Sequence, residues 1–437
     1  MTTKFKPVRA GIIAALAAIS IGSLNLPVTY ADAPIVSESF SAGDPIKAPL
    51  QKPLWTASFD KNASSVVSGD GLLFTFEGGK LVALNVQNGK KLFTYGSKLR
   101  PGAAYLNGVV YGVTDSGQVY AVSAKTGKQV WKSAAGITDA NAPVVIKDTV
   151  LVSNKNAFIA LDAATGKQRW KAVEDQAENQ GTIATEADGI LYVTYWVQGA
   201  LTSSQLDAID LKTGKILWKK FKQYAPLTIQ NGLVYSIADQ YSFDDADPKR
   251  ELNIAVLDAK TGKTKETQTY SWTLKSQPPY QGGSGSAILN GKDLYIATDR
   301  AVMKFDITAY KKDGKPLKTW NVDNTDKDII GSVHDNRVFF KNSSKPEITG
   351  MKLADSMTFN FRTDNPPVQT DIYGNGVYIG QSDGVLHGYN LQTTFSVFTV
   401  NTGSRNYGPT LRSGNTLIIQ AKDTGKLIAV PVPKALQ

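Results

Sequence analysis

The sequence predicts an all-β chain folded as a closed propeller of four-stranded blades. Three observations predict it: a hairpin motif that recurs along the chain, the spacing of its copies, and three C-terminal strands that lack a fourth. The clearest motif is residues 119–131, VYAVSAKTGKQVW, where an alternating strand meets a turn at Lys125-Thr126-Gly127-Lys128 and a second strand ends in Trp131. The glycine suits a three- to five-residue hairpin loop, which needs a positive φ.

Copies follow one another from residue 64 onward. The first turns at Asn88-Gly89-Lys90 before Phe93, the second at Gly127 before Trp131, the third at Gly166 before Trp170 and the fourth at Gly214 before Trp218. The fifth keeps Asp258 and Thr261-Gly262-Lys263 but has Glu266 in the aromatic position and Trp272 later. The sixth turns at Asp313-Gly314-Lys315 before Trp320, the seventh near Asp355-Ser356 before Phe359 and Phe361, and the eighth near Thr393-Thr394 before Phe398. The first seven turns lie 38, 39, 48, 48, 52 and 42 residues apart, the length of one four-stranded blade. In the second repeat the four strands read as residues 103–106, 109–114, 119–123 and 129–132. After the eighth repeat only three strands remain, at 407–412, 416–421 and 427–432. Residues 54–59, with Trp55 in the aromatic slot, are the expected fourth, an N-terminal strand that closes the ring and removes its open edges. Taken literally this is eight repeats and a split one. Nine blades is an unusual size, so the expectation is eight, with one irregular repeat merged or unpaired and nine as the alternative.

Composition narrows the chemistry. The 437 residues contain no cysteine and two histidines, His334 and His387, which removes disulfides and thiol nucleophiles and leaves little for imidazole metal clusters. Lys4, Lys6 and Arg9 precede an apolar run over 10–26 and small residues, the pattern of a secretory signal peptide over 1–31. The run is interrupted by Gly11, Ser20, Gly22, Ser23 and Asn25, so no transmembrane segment is expected after cleavage. A Pro-, Ser- and Ala-rich leader over 32–52 reads as flexible, and the propeller domain as 53–433. The expected location is secreted, extracellular or attached to the cell wall.

The third and fourth repeats, with Asp162 and Thr165-Gly166-Lys167 leading to Trp170 and Asp210 and Thr213-Gly214-Lys215 leading to Trp218, resemble the pyrroloquinoline-quinone-like (PQQ-like) propeller repeat. The second departs from it with Ser123 in the Asp position. The resemblance spans about residues 54–432 and implies the fold; the blade itself serves quinone-dependent dehydrogenases, scaffold lipoproteins and uncharacterised secreted proteins. Dehydrogenases of this type resemble one another in adjacent cysteines beside the cofactor, a carboxylate-held calcium ion and a catalytic Asp, and the similar scaffold lipoprotein of outer-membrane barrel assembly needs a lipid-bearing Cys. This chain has no cysteine, so no cofactor is expected. The repeat Asp residues are read as turn-fixing acceptors and the Trp residues as packing between blades.

Function is sought where the repeats vary. Second-to-third-strand loops and blade-to-blade connections emerge on one face, and the Gly-Lys turns on the other. The long insertions on the first face carry the candidate ligand-binding residues Tyr195, Trp196, Tyr241, Phe243, Asp244, Asp245, Asp247 and Tyr280. The rings could stack on sugar or peptide, or pack on one another. Asp244, Asp245 and Asp247 lack the ligand spacing of a calcium loop, so no metal is assigned. The opposite turns carry Lys90, Lys128, Lys167, Lys215 and Lys263, candidates for attachment to an anionic cell-wall polymer or lipid headgroups, or simply solubilising residues. Glu174, Asp175, Glu178, Asp323, Asp326 and Asp328 add to an acidic insertion face. His334 and His387 read as polar strand residues, and nothing points to nucleic acid. The reading is a non-enzymatic binding or scaffold propeller for an unknown protein or polysaccharide. The alternative is a propeller enzyme, carbohydrate-active or quinone-dependent, with its site on the insertion face.

Overall fold

A computed structural model describes residues 48–61, 66–175, 180–198, 202–239, 246–275, 280, 285–324, 327–342 and 347–437, and the backbone of 37–38. Period-two alternation dominates these segments, and the described residues form nine antiparallel sheets, each a four-stranded blade, one of them extended by a short fifth strand. Blades 1–8 each take four consecutive strands; blade 2, for example, is Leu99–Leu106, Val109–Thr114, Gln118–Ser123 and Gln129–Gly136. The expected count of eight is therefore corrected to nine. No irregular repeat is merged: blades 6, 7 and 8, at Ser286–Asn290 to Lys318–Asn321, Lys327–His334 to Thr358–Asn360, and Pro367–Tyr373 to Ser396–Asn401, are each complete.

Blade 9 comprises Tyr407–Ser413, Thr416–Ala421 and Lys426–Pro431, with Trp55–Ser58 as its outer strand, Trp55 opposite Ala429. An apolar cluster joins Trp55, Ile418 and Leu427 to Leu73, Val82 and Leu84 of blade 1. The leader meets blade 8 twice. Ser37–Glu38 pairs with its inner strand at Asp371 and Thr370, and Leu50 bridges Thr399 on its outer strand.

A single joint is repeated between blades. Asp162 Oδ1 accepts the amides of Ala164 and Thr165, shaping a turn whose Gly166 has φ 70°. The ring of Trp131 from the preceding blade lies against Gly166, where a Cβ would come within 2.4 Å of it. Its Nε1 donates to Ala163 O at 2.8 Å. Trp170 does the same to Leu211 O, Trp218 to Ala259 O, Trp320 to Leu353 O and Trp55 to Val86 O. Blade 5 has no aromatic residue there, and Gln268 Nε2 takes over the donation, to Ile307 O at 3.0 Å. The displaced Trp272 packs instead over Gly285.

Candidate functional site

Strand direction puts the long connections at one end of the blades, running from Val197 to Ser203 in blade 4, from Ala238 to Lys249 in blade 5, and from Thr273 to Ser286 between blades 5 and 6. Tyr195 and Trp196 sit on the second strand of blade 4, Ile190–Val197, so their side chains face opposite ways. Tyr195 is buried edge-on against Phe158 of blade 3 and belongs to the core. Trp196 is 47% exposed. Tyr241, Phe243, Asp244 and Asp245, like Glu178 and Asp326, lie outside the described residues. Asp247 is exposed and its Oδ1 accepts the Lys249 amide; Tyr280 is half-buried.

Two polar joints link these connections. Ser203 Oγ in blade 4 donates to Asp239 Oδ2 in blade 5 at 2.5 Å, and Tyr224 Oη donates to Asp239 Oδ1. Arg250 is fully buried; its Nη1 donates to the carbonyls of Asp247 and Lys249, and its Nη2 to the carbonyl of Tyr280 at 2.6 Å. Asp247 and Tyr280, proposed separately from sequence, are thus brought together by a residue that sequence reasoning missed. A signal for it existed: Arg250 shares period-two parity with the core residues Leu252, Ile254 and Val256.

A buried carboxyl pair lies between blades 3 and 4. Gln205 Nε2 donates to Asp207 Oδ1 at 2.9 Å and approaches Glu174 Oε1 at 3.4 Å. Burial pushes the Asp207 carboxyl up to about 7, against the lowering effect of Gln205 and Lys219. Asp207 Oδ2 has no hydrogen-bond partner among the described residues. The folded chain therefore holds a proton that the unfolded chain releases above about pH 4, so this group's contribution to stability falls as pH rises through about 4 to 7. Asp207→Asn is expected to change stability little at pH 4 and to raise it by about 2–4 kcal/mol at pH 8. Urea unfolding of both proteins across that range checks this, and a difference independent of pH would refute it.

The described acidic residues of this end are partly neutralised, Glu174 and Asp175 by Lys219 and Asp323 by Arg300. On the opposite face Lys90, Lys128, Lys167, Lys215 and Lys263 are all exposed and make no ion pair among the described residues. A groove of about 790 Å³ opens there over blades 3–5, lined by Lys147, Asp148, Arg169, Asp210 and Lys212 among others. Arg169 is held by Asp148 and Asp162, and that ion pair together with Thr165 draws the Asp162 carboxyl down to about 2.

A family model described as outer membrane protein assembly factor BamB matches residues 93–306. These blades are PQQ-like propeller repeats. Quinoprotein ethanol dehydrogenase of Pseudomonas aeruginosa is 29% identical over 200 residues, covering 34% of this chain and 32% of that protein. Tetrathionate hydrolase of Acidithiobacillus ferrooxidans is 28% identical over 267 residues, covering 54% of this chain and 48% of that protein. The chain thus spans about a third to a half of the length of these curated relatives. Among solved structures, BamB from Moraxella catarrhalis superposes with a TM-score of 0.48 at 17% identity, over 76% of this chain and 94% of that one.

The chain has no cysteine to stand beside a quinone, and among the described residues no three His, Cys, Asp or Glu side chains converge as metal ligands. His387 is buried 3.7 Å from Asp364, and burial brings its imidazole down to about 4. His334 is hydrogen-bonded to the Gly374 carbonyl. No described helix is long and apolar enough to cross a membrane.

Proposed function

We propose that this PQQ-like propeller is a secreted, non-enzymatic binding or scaffold protein acting at the cell surface, with a protein partner seated on the insertion face of blades 4 to 6. One observation carries the reading: described residues of three connections, Ser203, Asp239, Asp247 and Tyr280, are tied together by the Ser203–Asp239 bond and by Arg250, beside the exposed Trp196, which pairs with Ser204. Residues already tied together lose little further freedom on association, which is what a protein-binding surface requires. A tryptophan on such a surface is a common binding anchor. The family description of an assembly factor agrees with a scaffold role.

The carboxyl pair of Asp207 and Glu174 is what favours the enzyme alternative, since a raised carboxyl beside a second one is the equipment of a general acid. Both groups are at most 5% exposed, which favours a structural role over contact with substrate. The test is capture of extracellular proteins by the wild-type chain and by Trp196→Ser, with identification of the retained species. A specific protein retained by wild type and weakened about tenfold or more by Trp196→Ser is expected. Equal retention by both forms, or turnover of an alcohol on addition of calcium and quinone, would overturn the reading.

A further inference from the structure

The turn face is divided into two arcs by one structurally equivalent position. In blades 2–5 the third strand is followed by a residue at positive φ and then by a lysine whose carbonyl accepts the amide at the end of that strand, as Lys128 O accepts from Ser123 and Lys167 O from Asp162. Blade 1 repeats this with Lys90 O and Asn85. Blade 7 makes the same bond from Lys352 to Met357 O, after Ser356 at φ 66°. Blade 8 makes it from Asn390 to Phe395 O, after Thr394 at φ 61°. Blade 6 departs from this: its longer turn ends at Leu317, three residues before Trp320, and there the Leu317 amide donates to Lys304 O. Five consecutive blades therefore raise an ammonium group at this point, blades 7 and 8 raise Met357 and Phe395 there, exposed by 59% and 76%, and blade 6 exposes Leu317 by 67% at the end of its own turn.

Single exposed apolar residues are ordinary on a protein surface and need no explanation. Here Met357 and Phe395 occupy one turn position on successive blades and Leu317 ends the turn of the blade before them, on the face where the five preceding blades carry lysines with no ion pair among the described residues. Each stands on a separate hairpin. A fluid interface accepts isolated apolar tips one by one, and anionic headgroups attract the neighbouring ammonium groups. We infer that this face docks on the surface of an anionic phospholipid bilayer, with Leu317, Met357 and Phe395 entering the headgroup region and the lysine arc lying over phosphate. The contact is on the side opposite the proposed partner face and does not depend on it.

The absence of cysteine makes the test site-specific. Phe395→Cys, and separately Trp196→Cys as the opposite-face control, is labelled with an environment-sensitive fluorophore on the full chain. Each is then mixed with phosphatidylglycerol–phosphatidylcholine vesicles, with pure phosphatidylcholine vesicles, and with polyglutamate. The expected result is a blue shift at position 395 on anionic vesicles only, reduced by salt, and none at position 196. Lys128→Glu, Lys167→Glu and Lys215→Glu together, with the label kept at 395, should weaken that response about tenfold or more, each lysine near an anionic surface contributing roughly 1 kcal/mol. Matching thermal unfolding of labelled and unlabelled chains establishes that the variants fold. No shift at 395 with anionic vesicles, or an equal shift at 196, overturns the inference. Binding to polyglutamate without binding to vesicles also overturns it and assigns the face to an acidic polymer or protein.

Discussion

Gly214→Ala should destabilise the chain by about 3 kcal/mol or more, while Gly232→Ala should cost only about 1–2 kcal/mol. The two glycines have nearly the same backbone conformation, φ 74° and 72°. An L-residue pays roughly 1–2 kcal/mol for that conformation in either place. Their surroundings differ. A Cβ at position 232 meets nothing within 4 Å, whereas at position 214 it would lie 2.5 Å from the Trp170 ring. That ring must move, and with it goes the hydrogen bond from Trp170 Nε1 to Leu211 O at 2.8 Å together with part of the packing of the indole. The difference between the two urea midpoints, converted with a common m-value, isolates the inter-blade joint from backbone conformation. Equal losses would mean that the glycine serves the turn alone.

The same joint shows what was legible in the sequence. Asp, Thr, Gly, Lys and Trp at fixed offsets gave the turn, its capping side chain and the inter-blade aromatic, because all of them belong to one local hairpin. The number of blades was harder to read for a physical reason. Blades 7 and 8 place Ser356 and Thr394, not Gly, at positive φ, yet keep the backbone bonds Ser356 N to Lys352 O and Thr394 N to Asn390 O. The residue signature fades while main-chain hydrogen bonding holds the geometry, so repeats that look degenerate are whole blades. Blade 5 makes the same point through Gln268, which supplies the donor without the aromatic ring.

The insertion face was legible as a location and poorly legible as a set of contacts. Loop lengths showed which end of the blades varies. Strand alternation could have separated Tyr195, on the core side, from its neighbour Trp196, and could have marked Asp207 and Arg250 as polar residues at core parity. What those residues meet was beyond sequence spacing. Glu174 belongs to blade 3 and Gln205 to blade 4, and Tyr280 lies thirty residues from Arg250. Such pairs are set by how one blade lies on the next.

Arg250 is the residue whose removal should most disturb the proposed binding face. Its side chain is wholly buried and donates to three backbone carbonyls, two of them, at Asp247 and Tyr280, in different connections. Arg250→Ala leaves those acceptors unpaired beside a cavity and is expected to cost about 3–5 kcal/mol. Arg250→Met fills most of the volume and no longer buries a charge, so its loss of stability should be smaller, about 1–3 kcal/mol. The two variants differ in packing but share the loss of the tie. Both should therefore speed hydrogen exchange at the Leu274 amide, which is bonded to Pro248 O at the base of the two connections, and both should weaken partner capture. If Arg250→Met kept slow exchange at Leu274 and full partner capture, the guanidinium would be a packing element, and the rigidity of the face would have to come from the strands beneath it.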